Sequence, residues 1–211
     1  MNKHIVFLLI AAMLTLGGCK WKTTKNALHH GEVLKSSVES FEKNRQVLSE
    51  KLVSSLEDAG ESLSGEQPDL PKISKDFEVE WTSIQNRYGK LKKDFSDGGE
   101  SSTAYFNKLD ELSGSITNER LRREELSKNA ALRKKWEASY QVAASNIEKI
   151  TVVLEEGHDF HMVLVASSIR QKLEQNVEDL QRIATQAKTL LSDLEAFTEA
   201  GRQLVEGQPA M

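Results

Sequence analysis

Two stretches of the chain gather side chains able to do chemistry. The first is His158-Asp159-Phe160-His161, preceded by Glu155-Glu156. His158 and His161, three residues apart, can share one helix face with carboxylates beside them, and imidazole and carboxylate are the donors that divalent transition metals take. The same residues also suit a turn between helices, with Asp159 as an N-cap and His158 as a cation near a helix C-terminus. The expectation is that no metal is held and that His158, Asp159 and His161 serve the turn. His29-His30 could complete a four-ligand site only at the same end of the molecule. Helices of the expected length place the two His pairs at opposite ends, about 50–60 Å apart. The second stretch, Arg120 to Lys135, holds seven basic side chains against Glu124 and Glu125. It could meet phosphates at a membrane, but a solvated helix face is the expected role. Nucleophile motifs of the G-x-S-x-G or H-E-x-x-H type, Walker loops and G-x-G-x-x-G are all missing, so the chain is not expected to be an enzyme. Trp81, Tyr88, Phe95, Trp136 and Tyr140 fall on apolar stripes and read as core.

The only Cys, Cys19, stands in a more specific setting. Lys3 and His4 precede an apolar run from Ile5 to Leu16 that Thr15 alone interrupts. As a helix this run rises about 18 Å, too little for a hydrocarbon core of about 30 Å, and it suits the apolar region of a secretory signal peptide. The run ends in Leu16-Gly17-Gly18-Cys19, which resembles the lipobox of bacterial lipoproteins. That resemblance implies cleavage before Cys19 and a diacylglycerol on its thiol, with palmitate-type chains as the only attached group and no other cofactor. By the sorting pattern of enterobacterial lipoproteins, Lys20 implies the outer membrane. A single Cys also rules out an internal disulfide.

Four helical segments must carry these residues. The first runs from about Thr24 to Leu63 on a stripe of Leu34, Val38, Phe41, Leu48, Leu52, Leu56, Ala59 and Leu63, with Arg45 in a skipped slot and its head expected to snorkel outward. A Gly/Pro loop from Gly60 to Pro71 follows. The second starts near Pro71 on Ile73, Phe77, Trp81, Ile84, Tyr88, Leu91 and Phe95. It meets Ser96-Asp97-Gly98-Gly99, either a kink or a hairpin turn, then continues through Tyr105, Phe106, Leu109 and Leu112 to Gly114. The third starts near Thr117-Asn118 and carries Trp136, Tyr140, Ala143, Ile147, Ile150 and Leu154, with Gly157 expected to end it. The fourth is expected to start at Asp159. There Ala166, Leu173, Leu180, Ala187 and Leu194 recur every seven residues, and Ile169, Asn176, Ile183, Leu190 and Phe197 follow each by three. Val177, Ala184 and Leu191 widen that stripe beyond a two-helix seam. Taking the Gly98-Gly99 region as a kink, the segments are of similar length with short links. The expected fold is all-α, an elongated antiparallel helical bundle in up-down-up-down order. The expected domains are a signal peptide (1–18), a lipidated anchor and linker (19–23), a bundle (24–206) and a disordered tail (207–211).

Composition agrees with long helices. The 211 residues include 12 Gly and only 3 Pro, and 28% are charged. The net charge of −4 gives no nucleic-acid footprint. Asn118-Glu119-Arg120-Leu121-Arg122, the helix around Tyr140, Leu164 to Ile169 with Ser168-Ile169, Val177 with Leu180, and Ala196-Phe197 together resemble an uncharacterised family of proteobacterial lipoproteins, known only as a domain of unknown function. The likeness covers at most the C-terminal two-thirds of the mature chain, and the second segment, with Phe95 and Gly98-Gly99, and the loop before it fit less well. It implies fold and location and carries no activity. The expected function is a non-enzymatic, lipid-anchored scaffold or interaction protein of the bacterial envelope. It would face the periplasm, with the membrane and an envelope protein as partners. The alternative is a periplasmic sensor or binding protein for a metal or another small ligand, using the His158–His161 tip.

Overall fold

The computed structural model describes the backbone of residues 3–170 and 178–206, and the side chains of residues 28–170 and 178–206. Five helices follow one another: α1 (Lys3–Leu63), α2 (Leu70–Gly114), α3 (Glu119–Arg170), α4 (Glu178–Asp193) and α5 (Glu195–Glu206). α4 and α5 form one broken arm, so the molecule is a four-arm, all-α bundle. α1 and α3 each pack against α2 and against the α4–α5 arm, and face each other across the diagonal.

Neighbouring arms are antiparallel. On α1 and α2, Ser37 meets Ser101, Asn44 meets Asp94 and Lys51 meets Glu80, so numbers rise on one as they fall on the other. Phe95 with Tyr140 and Trp81 with Leu154 do the same for α2 and α3. Trp136 with Phe197 and Glu156 with Arg182 do so for α3 and the last arm. The up-down-up-down order is therefore observed. With α2 at 45 residues, the rod is about 70 Å long.

The stripes read from the first two segments are the core: Leu34 through Leu63 and Ile73 through Phe95 are all buried at their apolar positions. Two caps are also in place. Asp69 accepts from Lys72 N–H at 3.1 Å ahead of Pro71 in the first turn, and Asn118 accepts from Leu121 N–H at 3.1 Å.

Four expectations are corrected. First, α2 is one continuous helix through Gly98-Gly99, as expected for a single arm and not for a hairpin, and the helix is not broken there. Gly98 faces the Phe197 ring, and a Cβ on Gly99 would stand 2.7 Å from the Tyr140 hydroxyl; the pair is a seat for rings and not a breaker. Second, α3 does not stop at Gly157 but runs to Arg170. A Cβ at Gly157 would lie 1.8 Å from the Trp81 ring, and the Trp81 indole donates to Leu154 O at 3.2 Å, so the glycine is a notch inside the helix. Asp159 is consequently a mid-helix residue and caps nothing. Third, Asp159 does not open the last arm, whose described helix is Glu178–Asp193; Ala166 and Ile169 belong to α3, and Ile169 is 78% exposed. From Leu180 onward the seam holds, except that Leu191 takes the interior place assigned to Leu190. Leu173, Asn176, Val177 and the tail 207–211 lie outside the described residues. Fourth, α1 is helical from Lys3, well before Thr24, so its backbone passes through Leu16, Gly17, Gly18 and Cys19.

Candidate functional site

The first candidate is the anchor sequence. Leu16, Gly17, Gly18 and Cys19 lie on the N-terminal part of α1, whose side chains are outside the described set. Among the described residues the first buried core residue of α1 is Leu34. Among the described residues, no helix is long and apolar enough to cross a membrane.

The His pair is placed on α3 near the end away from the chain's N-terminus. His158 and Asp159 are exposed and His161 is half-buried against the Phe77 ring. The two imidazole centroids are 6.4 Å apart. Among the described residues, no three His, Cys, Asp or Glu side chains come together as metal ligands would. His29-His30 stands at the other end of the rod, roughly 45 Å away by helix rise along α1. A groove of about 600 Å³ beside His158 is lined by Tyr88, Thr151, Glu155 and Asp159. The Tyr88 hydroxyl there donates to Ile147 O at 2.5 Å and meets Thr151 Oγ1 at 2.7 Å. Burial pushes the Tyr88 phenol above its ordinary value.

A second groove, of about 340 Å³, lies between α2 and α3. Ser102, Thr103, Trp136 and Tyr140 line it, with Glu100 and Glu137 at its edge. Ser102 and Thr103 both donate to Gly99 O, at 2.8 and 3.0 Å, so neither hydroxyl is presented to a base. Burial, reinforced by Glu100, raises the Tyr140 phenol.

The least expected cluster surrounds Arg45. Its head does not snorkel: the residue is 5% exposed. Nε and Nη2 form a two-pronged bond to Glu42, both at 2.8 Å, and Nη2 also reaches Glu195 at 3.0 Å. Nη1 donates to Leu191 O at 2.9 Å, the carbonyl that in an unbroken helix would accept from Glu195 N–H. The guanidinium thus occupies the place where α4 gives way to α5. Thr198 donates to Glu42 as well, at 2.9 Å. The Arg45 guanidinium, helped by Thr198 and Gln46 and opposed by burial, holds the Glu42 carboxyl at about 2, while Glu42 raises Arg45. A Phe41–Phe95–Tyr140–Trp136–Phe197 ring cluster packs next to it with centroids as close as 4.3 Å. The sequence signal for this node was the basic residue interrupting an otherwise apolar stripe.

The basic segment is split by position. Arg133 pairs with Asp110 at 2.6 Å and lies over the Phe106 ring, so it is structural. Arg120, Arg123 and Lys128 make helix-surface pairs with Glu124, Glu119 and Glu125.

No protein-family model matches the chain, and neither does any curated protein or solved structure.

Proposed function

We propose that the chain is a lipid-anchored, non-enzymatic helical scaffold of the bacterial cell envelope, held in the outer membrane and facing the periplasm. The observation that carries this reading is the position of the sole Cys: it directly follows Leu16-Gly17-Gly18, at the end of an apolar run too short to span a bilayer. The fold is consistent with this reading, because the buried apolar side chains of the described residues, from Leu34 onward, all lie in the part that remains when residues 1–18 are removed. A rod of about 70 Å fixed at one end holds a partner at a distance from the bilayer, which is what a scaffold does.

The test is metabolic labelling with a fatty acid, in cells making the wild type or Cys19→Ala. The wild type should carry label, lose residues 1–18 and stay with membranes in high salt, since its attachment is apolar and not ionic. Cys19→Ala should lose both label and cleavage. A wild-type protein released by salt, or found with a free thiol, overturns the reading.

A further inference from the structure

The rod is electrically polarised along its length. At its distal end, Glu57 to Asp69 holds five acidic side chains and no basic one. At the other end, residues 20–31 hold three Lys, two His and no acid, and α3 opens with Arg120, Arg122 and Arg123 among Glu119, Glu124 and Glu125. The register of α1 and α2 brings these two basic segments to one level. Ser37 is level with Ser101, and Gly31 lies against Tyr105. From Tyr105 to Gly114, α2 advances about 14 Å. The antiparallel helix α1 descends by the same amount over nine residues, to Lys22. The α2–α3 turn is therefore level with Cys19 to Lys22, not partway up the rod. Arg120 and Arg123 there are 70% and 73% exposed at the side chain, Leu121 is 42% exposed, and Arg122 makes no ion pair among the described residues. The pairs that Arg120 and Arg123 make with Glu124 and Glu119 are solvent-exposed, a class too weak to withhold them from a phosphate.

We propose that the α2–α3 turn and the first turn of α3 form a second membrane contact. Arg120, Arg122 and Arg123 sit on anionic phospholipid headgroups of the bilayer that holds the Cys19 lipid, and Leu121 enters the interface. The inference rests on the anchor reading and deepens it. One lipid tether leaves a rod free to lie down; a second, charged foot beside it, with an acidic far end repelled by the same surface, holds the rod upright.

The experiment uses the lipidated full chain, with its only thiol consumed at Cys19, in vesicles of phosphatidylcholine with or without phosphatidylglycerol. An environment-sensitive dye is attached at Leu121→Cys, and in a separate protein at Met162→Cys near the distal end. With phosphatidylglycerol, the dye at 121 should shift to the blue and become shielded from an aqueous quencher at least threefold; the dye at 162 should not. Adding Arg120→Gln, Arg122→Gln and Arg123→Gln should return the 121 dye to water while the protein still floats with the vesicles. A floating protein whose 121 dye stays aqueous, or is unaffected by the three substitutions, overturns the foot and leaves the anchor standing. A protein that does not float overturns the anchor reading and this inference with it.

Discussion

Two of the four seams of the bundle fasten themselves to backbone carbonyls in different ways. Between α2 and α3 the donors are neutral rings: Trp81 donates to Leu154 O and Tyr88 to Ile147 O, and both host carbonyls sit in an unbroken helix. Between α1 and the last arm the donor is a cation, Arg45 on Leu191 O, and there the helix breaks. A carbonyl has two lone pairs, so a ring donor can take the spare one and leave the helix intact. The guanidinium instead stands where the next-turn amide would bond, and its two carboxylate partners hold it there. At Trp81 and Tyr88 the first seam is thus fixed by shape and neutral donors. The second is fixed by charge and depends on pH.

The largest effect should come from the shape-fixed seam. Gly157→Ala replaces the poorer helix former by the better one, a local gain of about 1 kcal/mol. Because the new Cβ would overlap the rigid Trp81 ring, the variant should instead lose more than about 3 kcal/mol by denaturant titration, and Trp81→Leu in the same chain should recover part of it. A Gly157→Ala protein as stable as wild type would remove the notch from the comparison.

Arg45→Met comes next. It strands a carboxylate on Glu42 that is only 13% exposed, and should cost about 3 kcal/mol. Arg45→Met with Glu42→Gln should recover most of this loss, since the neutral pair leaves no uncompensated charge. If the double variant is no better than the single one, the seam is held by packing and not by the ion pair.

The pH dependence follows from Glu42, whose folded value of about 2 lies below the ordinary 4.5. A depressed carboxyl contributes stability that is whole above about 4.5 and is lost as pH falls toward 2. That acid limb should amount to on the order of 2 kcal/mol, and Glu42→Gln should flatten it. Trp81→Phe, on the other seam, should leave the limb unchanged.

Gly99→Ala should be the mildest. The facing Tyr140 is half-buried, and its hydroxyl end can give, so a thermal melt should move by less than about 1 kcal/mol equivalent.

These glycines also show which parts of the fold were legible in the sequence. The stripes of α1 and α2, the Asn118 cap and the Gly/Pro loop depend on neighbours within a turn or two, and each lies where its pattern put it. Gly157 followed by Asp159 carries the same local signature as a helix end. What distinguishes it is Trp81, 76 positions earlier, and no local pattern contains that residue. Arg45 is the same kind of case: snorkelling and burial differ only in whether Leu191 and Glu195 arrive opposite it. Of the candidate site residues, His158 and His161 do share a helix face, but a third ligand has to come from another helix, and no periodicity on one helix reports on that. The proposal for Cys19 rests on sequential context and not on spatial context.

The interruption at Leu194 divides the last arm into kinetically unequal parts. α5 is 12 residues long, joined to α4 through a single turn residue and docked by Phe197, Thr198, Gly201 and Leu204. It is the smallest segment that can open as one unit without unravelling a long helix, and its amides should exchange with solvent water ahead of those of α2 and α3. Its departure would uncover Phe41, Phe95 and Trp136 together, on the half of the rod nearest Cys19. The break that Arg45 holds open is therefore also a hinge, and the apolar surface that the bundle can transiently expose lies on the Cys19 side of it.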